Sequence, residues 1–177
     1  MCDSYQHILS VAFELISARP LSQIKASDII KASKVSKGTF YRYFKDKYDC
    51  ISTSYVEVFL KPFDDRNLSF FKAFNVHAEE ILKSKQTLKN IAQNDNFLLA
   101  FSDINDGYRR YFMKILVEKD PTLIDDLTCI KAINYFCRTC AVTLYLYGND
   151  KISNDEILFF VENIEDVVPS RLKEVFK

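Results

Sequence analysis

The chain has 177 residues, with 24 basic and 24 acidic side chains and no formal net charge, so its overall charge signals neither a nucleic acid nor an anionic surface. Only 3 Gly and 4 Pro punctuate a sequence that is 48% hydrophobic, which excludes a meander of short strands and argues for long helices and an all-α fold. The length suits one sizeable domain, or a small domain joined to a larger one.

Taken in chain order, Ile8, Ala12, Leu15 and Ile16 fall at i, i+4, i+7 and i+8, one face of an amphipathic helix that Arg19-Pro20 ends. A short second helix over 26–33 would bury Ile29 and Ile30 against it. Val35-Ser36 reads as a tight link in which the Ser36 hydroxyl caps a third helix over 37–44. There Phe40 and Phe44 share the inner side at i, i+4. Rotation by about 100° per residue puts Gly38 and Arg42 opposite them, with Thr39, Tyr41 and Tyr43 on the flanks. Asp46 is placed to cap a fourth helix that runs to about residue 61, where Pro62 stops it.

Beyond Pro62 the pattern predicts helices over 70–84, 86–102, 104–118 and 122–147. The last is apolar on most sides from Ile133 to Tyr147 and should be buried by more than one neighbour. Ser153 and Glu156 have the spacing of a capping box, opening a final helix with Ile157, Phe160, Val161, Ile164 and Val168 on one stripe. Pro169 should kink or end it, leaving a short helical tail to Phe176.

The charge is unevenly spread. Residues 24–48 hold seven basic side chains (Lys25, Lys31, Lys34, Lys37, Arg42, Lys45, Lys47) and two acidic ones (Asp28, Asp46), a local net charge of +5 balanced by −5 in the remainder. Two short helices joined by a tight turn, the second with a basic and aromatic outer face, have the architecture of a helix-turn-helix whose last helix enters the DNA major groove. Gly38 supports this. Glycine inside a helix costs about 1 kcal/mol relative to alanine, and is understandable where a missing side chain lets another surface approach the backbone.

Ile8, Ala12 and Leu15, then Asp28-Ile29, then the run from Val35 to Phe44 with Lys47, resemble the N-terminal signature of the tetracycline-repressor (TetR) family of bacterial transcriptional regulators. The likeness spans residues 8–51, under a third of the chain. It implies a helix-turn-helix domain over 1–50 and a helical regulatory and dimerisation domain over 51–177. It further implies a ligand-responsive repressor that binds a pseudo-palindromic operator in double-stranded DNA. The homodimer would form through the last two long helices, here 122–147 and 154–168. By position, Lys37, Gly38, Thr39, Tyr41 and Arg42 resemble residues that meet bases and nearby phosphates, with Ser36 at the cap. Tyr43 and Lys47 resemble phosphate contacts, and Lys25 adds another. The chain departs from the family pattern at Lys25, Ile30, Pro20 and Lys34. Lys34 stands where the turn glycine is usual, so either it adopts an uncommon backbone conformation or the turn differs.

Phe97, Phe101, Tyr108, Tyr111, Phe112 and Tyr135 supply either a tight core or the walls of an apolar pocket; the resemblance implies the pocket, for a small apolar or aromatic effector. The alternative function is an architectural or partner-binding DNA protein on the same fold without an effector. Cys137 and Cys140 have the C-x-x-C spacing of a redox switch, but no βαβ context surrounds them and no His or second Cys pair completes a metal set, so they read as core thiols. His7 and His77 lack ligand-like spacing and read as surface or capping residues. No phosphate-cradling glycine loop, zinc motif or nucleophile elbow is present, so no enzyme, cofactor or metal is expected. The five cysteines, Cys2, Cys50, Cys129, Cys137 and Cys140, are odd in number with no leader-like pattern ahead of them. Reduced thiols in the cytoplasm are the simplest account. No apolar run approaches the roughly 20 residues of a membrane span.

Overall fold

The computed structural model describes residues 4–65, 67–93 and 97–176, with the backbone alone for 97–101 and 174. Among the described residues it contains eleven α-helices, three 3-10 turns and no strand. Helix α1 (Ser4–Ala18) buries Ile8, Ala12 and Ile16 completely. After Pro20, a 3-10 turn over Leu21–Gln23 sends Leu21 and Ile24 into the same core.

Helix α2 (Ala26–Ala32) is started by Asp28, whose carboxylate accepts from the Lys25 backbone N–H and from Arg19, both at 3.0 Å. Lys34 follows with φ at 54°, so the left-handed conformation is adopted at the turn position without a glycine, a strained choice for a long side chain. Helix α3 (Lys37–Tyr43) buries Phe40, and Phe44 just beyond it. Helix α4 (Lys47–Leu60) is capped by Asp46, which accepts from the N–H groups of Tyr48 at 2.8 Å and Asp49 at 3.0 Å. It packs on α1 on one side and on α7 on the other, so the expected boundary between residues 50 and 51 falls inside one continuous helix.

The C-terminal layers are α5 (Phe70–Lys83), α6 (Lys85–Ala92), α7 (Phe97–Lys119), α8 (Leu127–Gly148), α9 (Asn154–Glu162), α10 (Ile164–Val167) and α11 (Ser170–Phe176). Three boundaries differ from the sequence reading. The predicted division near residue 103 lies within α7, and α6 ends at Ala92. Helix α8 begins at Leu127, because Asp126 caps it by accepting from Thr128 and Cys129 at 2.9 and 3.0 Å; the preceding residues form a 3-10 turn over Pro121–Ile124. The last helix is interrupted at Asn163, whose side-chain amide donates back to the Phe159 carbonyl at 2.8 Å. Its stripe nevertheless stays buried at Ile157, Val161, Ile164 and Val168.

The two halves are held together by α6. Buried Asn90 donates to the Ile16 carbonyl at 2.7 Å and the Ser17 carbonyl at 3.3 Å, satisfying the end of α1, and the Thr87 hydroxyl bonds to that of Ser17 at 3.0 Å. Gly148 lets α8 end against α6: a Cβ there would stand 2.8 Å from the Leu88 carbonyl oxygen. Lys85 and Lys89 clasp Asp150 beyond that junction at 3.0 and 2.8 Å.

Candidate nucleic-acid interface

Helix α3 has two chemically opposite sides because its aromatic residues alternate with basic ones. Phe40 and Phe44 are buried and tilted against each other at 5.6 Å between centroids, and Tyr5 of α1 stacks on Phe44 at 5.5 Å. These rings fix how far α3 stands off the core. On the other side Lys37, Gly38, Tyr41, Arg42 and Tyr43 are all exposed.

The exposed groups brace one another. The Arg42 guanidinium lies over the Tyr43 ring at 4.8 Å and donates to its hydroxyl at 3.0 Å, and the Lys37 ammonium sits 5.9 Å from the Tyr41 ring centroid. Such pairing lowers the entropy lost when these side chains meet a ligand. Ser36 accepts from the Thr39 N–H at 3.0 Å, and the two hydroxyls are 2.9 Å apart. A Cβ on Gly38 would find only the Ser36 hydroxyl, at 3.8 Å. Nothing inside the protein requires this glycine.

Lys25 is exposed at the start of α2. Lys47 is placed differently from a free surface lysine: its ammonium donates to the carbonyls of Leu21 at 3.0 Å and Ile24 at 2.6 Å. It ties the 3-10 turn to the start of α4, a use that sequence spacing does not reveal.

This is also the segment with known relatives. Residues 8–52 match the family described as bacterial regulatory proteins, tetR family. The chain is 42% identical over 50 residues to the HTH-type transcriptional regulator AcrR of Shigella flexneri, a match covering 28% of this chain and 23% of that protein. It is 44% identical over 43 residues to the uncharacterized HTH-type transcriptional regulator YvdT of Bacillus subtilis (strain 168), covering 24% and 22%. The matched segments thus span less than a quarter of these curated relatives. Across nearly its whole length the fold is similar to that of a TetR transcriptional regulator from Rhodococcus sp. RHA1, with a TM-score of 0.65 at 14% identity, over 96% of this chain and 97% of that one.

Residues 8–52 are thus similar to the N-terminal segment of the TetR family, and the fold is similar over nearly the whole chain.

Of the aromatic residues singled out in the C-terminal half, the described side chains of Tyr108, Tyr111, Phe112 and Tyr135 have different surroundings. Tyr108 and Phe112 are fully buried in a ring cluster with Phe63, Phe70, Phe74 and Phe136, with centroids about 5–6 Å apart. Tyr111 is half-buried and donates its hydroxyl to Asp64. Tyr135 is 67% exposed on the outer side of α8: one residue back from the inward Phe136, its side chain is carried roughly a quarter-turn outward. The side chains of Phe97 and Phe101 lie outside the described residues. Two internal spaces, one bordered by Leu88, Ile91, Ile104 and Leu144 and one by Phe74, His77, Cys140 and Phe160, measure about 20 Å³ each, room for roughly one water.

His77 joins this core and ties it to α4. A carbonyl can only accept, so Nδ1–H donates to the Phe59 carbonyl at 2.7 Å and Nε2 accepts from the Tyr108 hydroxyl at 2.9 Å. Burial lowers its pKa to about 4, which keeps the imidazole neutral. Cys137 and Cys140 are buried; burial pushes the Cys137 thiol up to about 12 and raises Cys140 well above its ordinary value, so neither offers a thiolate. Cys2 lies outside the described residues. Among the described residues, no group of three His, Cys, Asp or Glu side chains is arranged to hold a metal ion, and no helix is long and apolar enough to cross a membrane.

Proposed function

We propose that this chain is a DNA-binding transcriptional regulator, a repressor that acts as a homodimer on a pseudo-palindromic operator. Each α3 reads one half-site in the major groove, and the half-sites lie about 34 Å apart or a multiple of that. The observation that carries the reading is the outer face of α3, where Lys37, Tyr41 and Arg42 surround a glycine with open space above it. Tyr41, Arg42 and Thr39 supply base and nearby phosphate contacts, while Lys37, Tyr43 and Lys25 hold phosphates. Lys47 contributes by holding the turn that presents α4.

Control by a small apolar or aromatic effector is part of the proposal. The spaces beside His77 and Ile104 are about 20 Å³, so a ligand seated in either of them has to select a conformation in which the surrounding helices stand further apart. It shifts DNA affinity only as far as it binds the two conformations unequally. The close packing of Tyr108 and Phe112 favours a second reading, a DNA-binding protein of the same fold with no effector.

Selection of bound duplexes from a random library, followed by titration of the winner and a scrambled duplex at several salt concentrations, tests the reading. A pseudo-palindrome bound with a clear specificity ratio and a steep salt slope is expected. Binding without sequence preference would favour the architectural reading; no binding would overturn both.

A further inference from the structure

The ring cluster around Phe112 is completed by a side chain from α11. Phe176 is fully buried there, stacked on Phe70 with 3.7 Å between centroids and 5° between planes, and edge-on to Phe112 at 6.3 Å. Rings this nearly face to face forgo the electrostatic preference for offset or edge-on contact. Phe176 thus fills this place without being its best occupant.

Helix α11 is weakly held. Its seven residues fall well short of the roughly 12–15 that a helix needs to persist alone in water, so it depends on its packing against α7 and α8. That packing buries Leu172 and Phe176. The polar ties are at the surface: Arg171 pairs with Asp126 at 2.6 Å, and Lys119 donates to the Val175 carbonyl at 2.5 Å. Exposed ties of this kind contribute little. The chain enters α11 through extended Val168, with φ at −63° and ψ at 125°, and then Pro169. Helix α11 can therefore lift without unwinding α10, an opening local to one short segment.

A way in from solvent exists. An open groove of about 430 Å³, bordered also by Phe63, Leu68, Ala73 and Ile115, reaches both Phe70 and Phe176. Among the described residues that border it, the charged ones, Asp65 and Lys119, are of opposite sign, which favours a neutral occupant. The spaces beside His77 and Ile104 hold about one water each. Withdrawing the Phe176 side chain instead leaves a place the size and shape of a benzene ring, with Phe70 as its floor.

We propose that Phe176 is the resident occupant of a ligand site: α11 lifts, and a small neutral aromatic molecule stacks on Phe70 in place of the ring. For its regulatory use the inference rests on the effector reading above; it adds where such a molecule sits and which group it displaces. Phe63 carries the contact onward, 5.4 Å from Phe70 and 5.7 Å from His77, which holds the Phe59 carbonyl of α4.

Toluene, the phenylalanine side chain as a free molecule, is the probe. Calorimetric titration reads its affinity, and NMR reads its position. In the wild type, saturating toluene is expected to replace the nuclear Overhauser contact between the Phe70 and Phe176 rings by one between Phe70 and toluene. Phe176→Ala removes the internal competitor and should bind toluene at least about 10-fold more tightly than the wild type, with circular dichroism confirming its fold. Lys119→Met, at an exposed position, removes only the tie to Val175. By raising the open fraction of α11 it should tighten toluene binding about 2–5-fold. A Phe70–Phe176 contact that persists under saturating toluene, or a folded variant of either kind that binds toluene no more tightly than the wild type, would overturn the site. Operator affinity measured with and without toluene tests the effector reading separately: displacement with unchanged operator affinity upholds the site and overturns that reading.

Discussion

Gly38 on α3 and Gly148 at the end of α8 sit in regions built on opposite terms. At Gly38 a Cβ would enter open space, whereas at Gly148 it would press on the Leu88 backbone at 2.8 Å. The first glycine makes room for something outside the molecule and the second for another helix of the same molecule. The aromatic residues divide in the same way: Tyr41 and Tyr43 stand in solvent beside Lys37 and Arg42, while Tyr108 and Phe112 are sealed among other rings. Aromatic content alone therefore marks neither a binding surface nor a core; what the neighbouring residues are decides it.

The largest expected effect probes the sealed region. His77 is held neutral with a pKa of about 4, against an ordinary value near 6.5. Above pH 6.5 it is neutral in both folded and unfolded chains and contributes nothing to the pH dependence. As pH falls below 6.5 the unfolded chain takes up a proton that the folded one refuses, so stability drops until pH reaches about 4. The loss is roughly 3 kcal/mol over that window. Denaturant melts across pH should show it, and His77→Gln should remove about one proton's worth of slope; an unchanged slope would mean the imidazole is not shielded.

The exposed region is tested next. Arg42→Ala and Tyr41→Ala should each weaken binding to the selected operator by about 1–3 kcal/mol and relax specificity at one position, with little change in melting temperature. Unchanged affinity in both would move the DNA surface elsewhere. Gly148→Ala should do the reverse, lowering stability by about 1–3 kcal/mol through overpacking against Leu88 while the DNA affinity of the folded fraction is kept.

Lys47 lies between the two regimes. Lys47→Ala should cost about 1–3 kcal/mol of stability, because it strips a charged donor from the Leu21 and Ile24 carbonyls. The slope of log affinity against log salt should not change; a slope reduced by about one would assign the ammonium to a phosphate instead. The smallest effect draws the sharpest line between the regions. Gly38→Ala should raise stability by about 0.5–1 kcal/mol, since alanine suits a helix and nothing stands in its way, yet it should weaken operator binding. A variant that is both more stable and fully active would remove the reason given for this glycine.

Much of the N-terminal unit was legible because its signals are local. The Ser36 and Asp46 caps, the inward Phe40 and Phe44 and the outward basic residues all lie within a few residues of the groups they act on. The missing turn glycine left two outcomes open at Lys34, and the positive φ is the one adopted. In the C-terminal half the Ser153–Glu156 capping box was legible for the same reason.

Contacts that join distant parts of the chain were not legible. Asn90 reaches carbonyls more than 70 positions away, and His77 links α4 to α7 through Phe59 and Tyr108; neither leaves a spacing to read. Tyr135 and Phe136 are neighbours in sequence, one in solvent and one in the core, and that choice belongs to the helices packed around α8. By itself the sequence determined the helical class, the helix-turn-helix and the face that α3 turns outward, because periodicity and capping act over one or two turns. Only the tertiary structure decided that Tyr108 and Phe112 fill a core while Tyr135 stays in solvent, and that Lys47 and Asn90 brace chain turns, because burial and pairing are set by which distant segments come together.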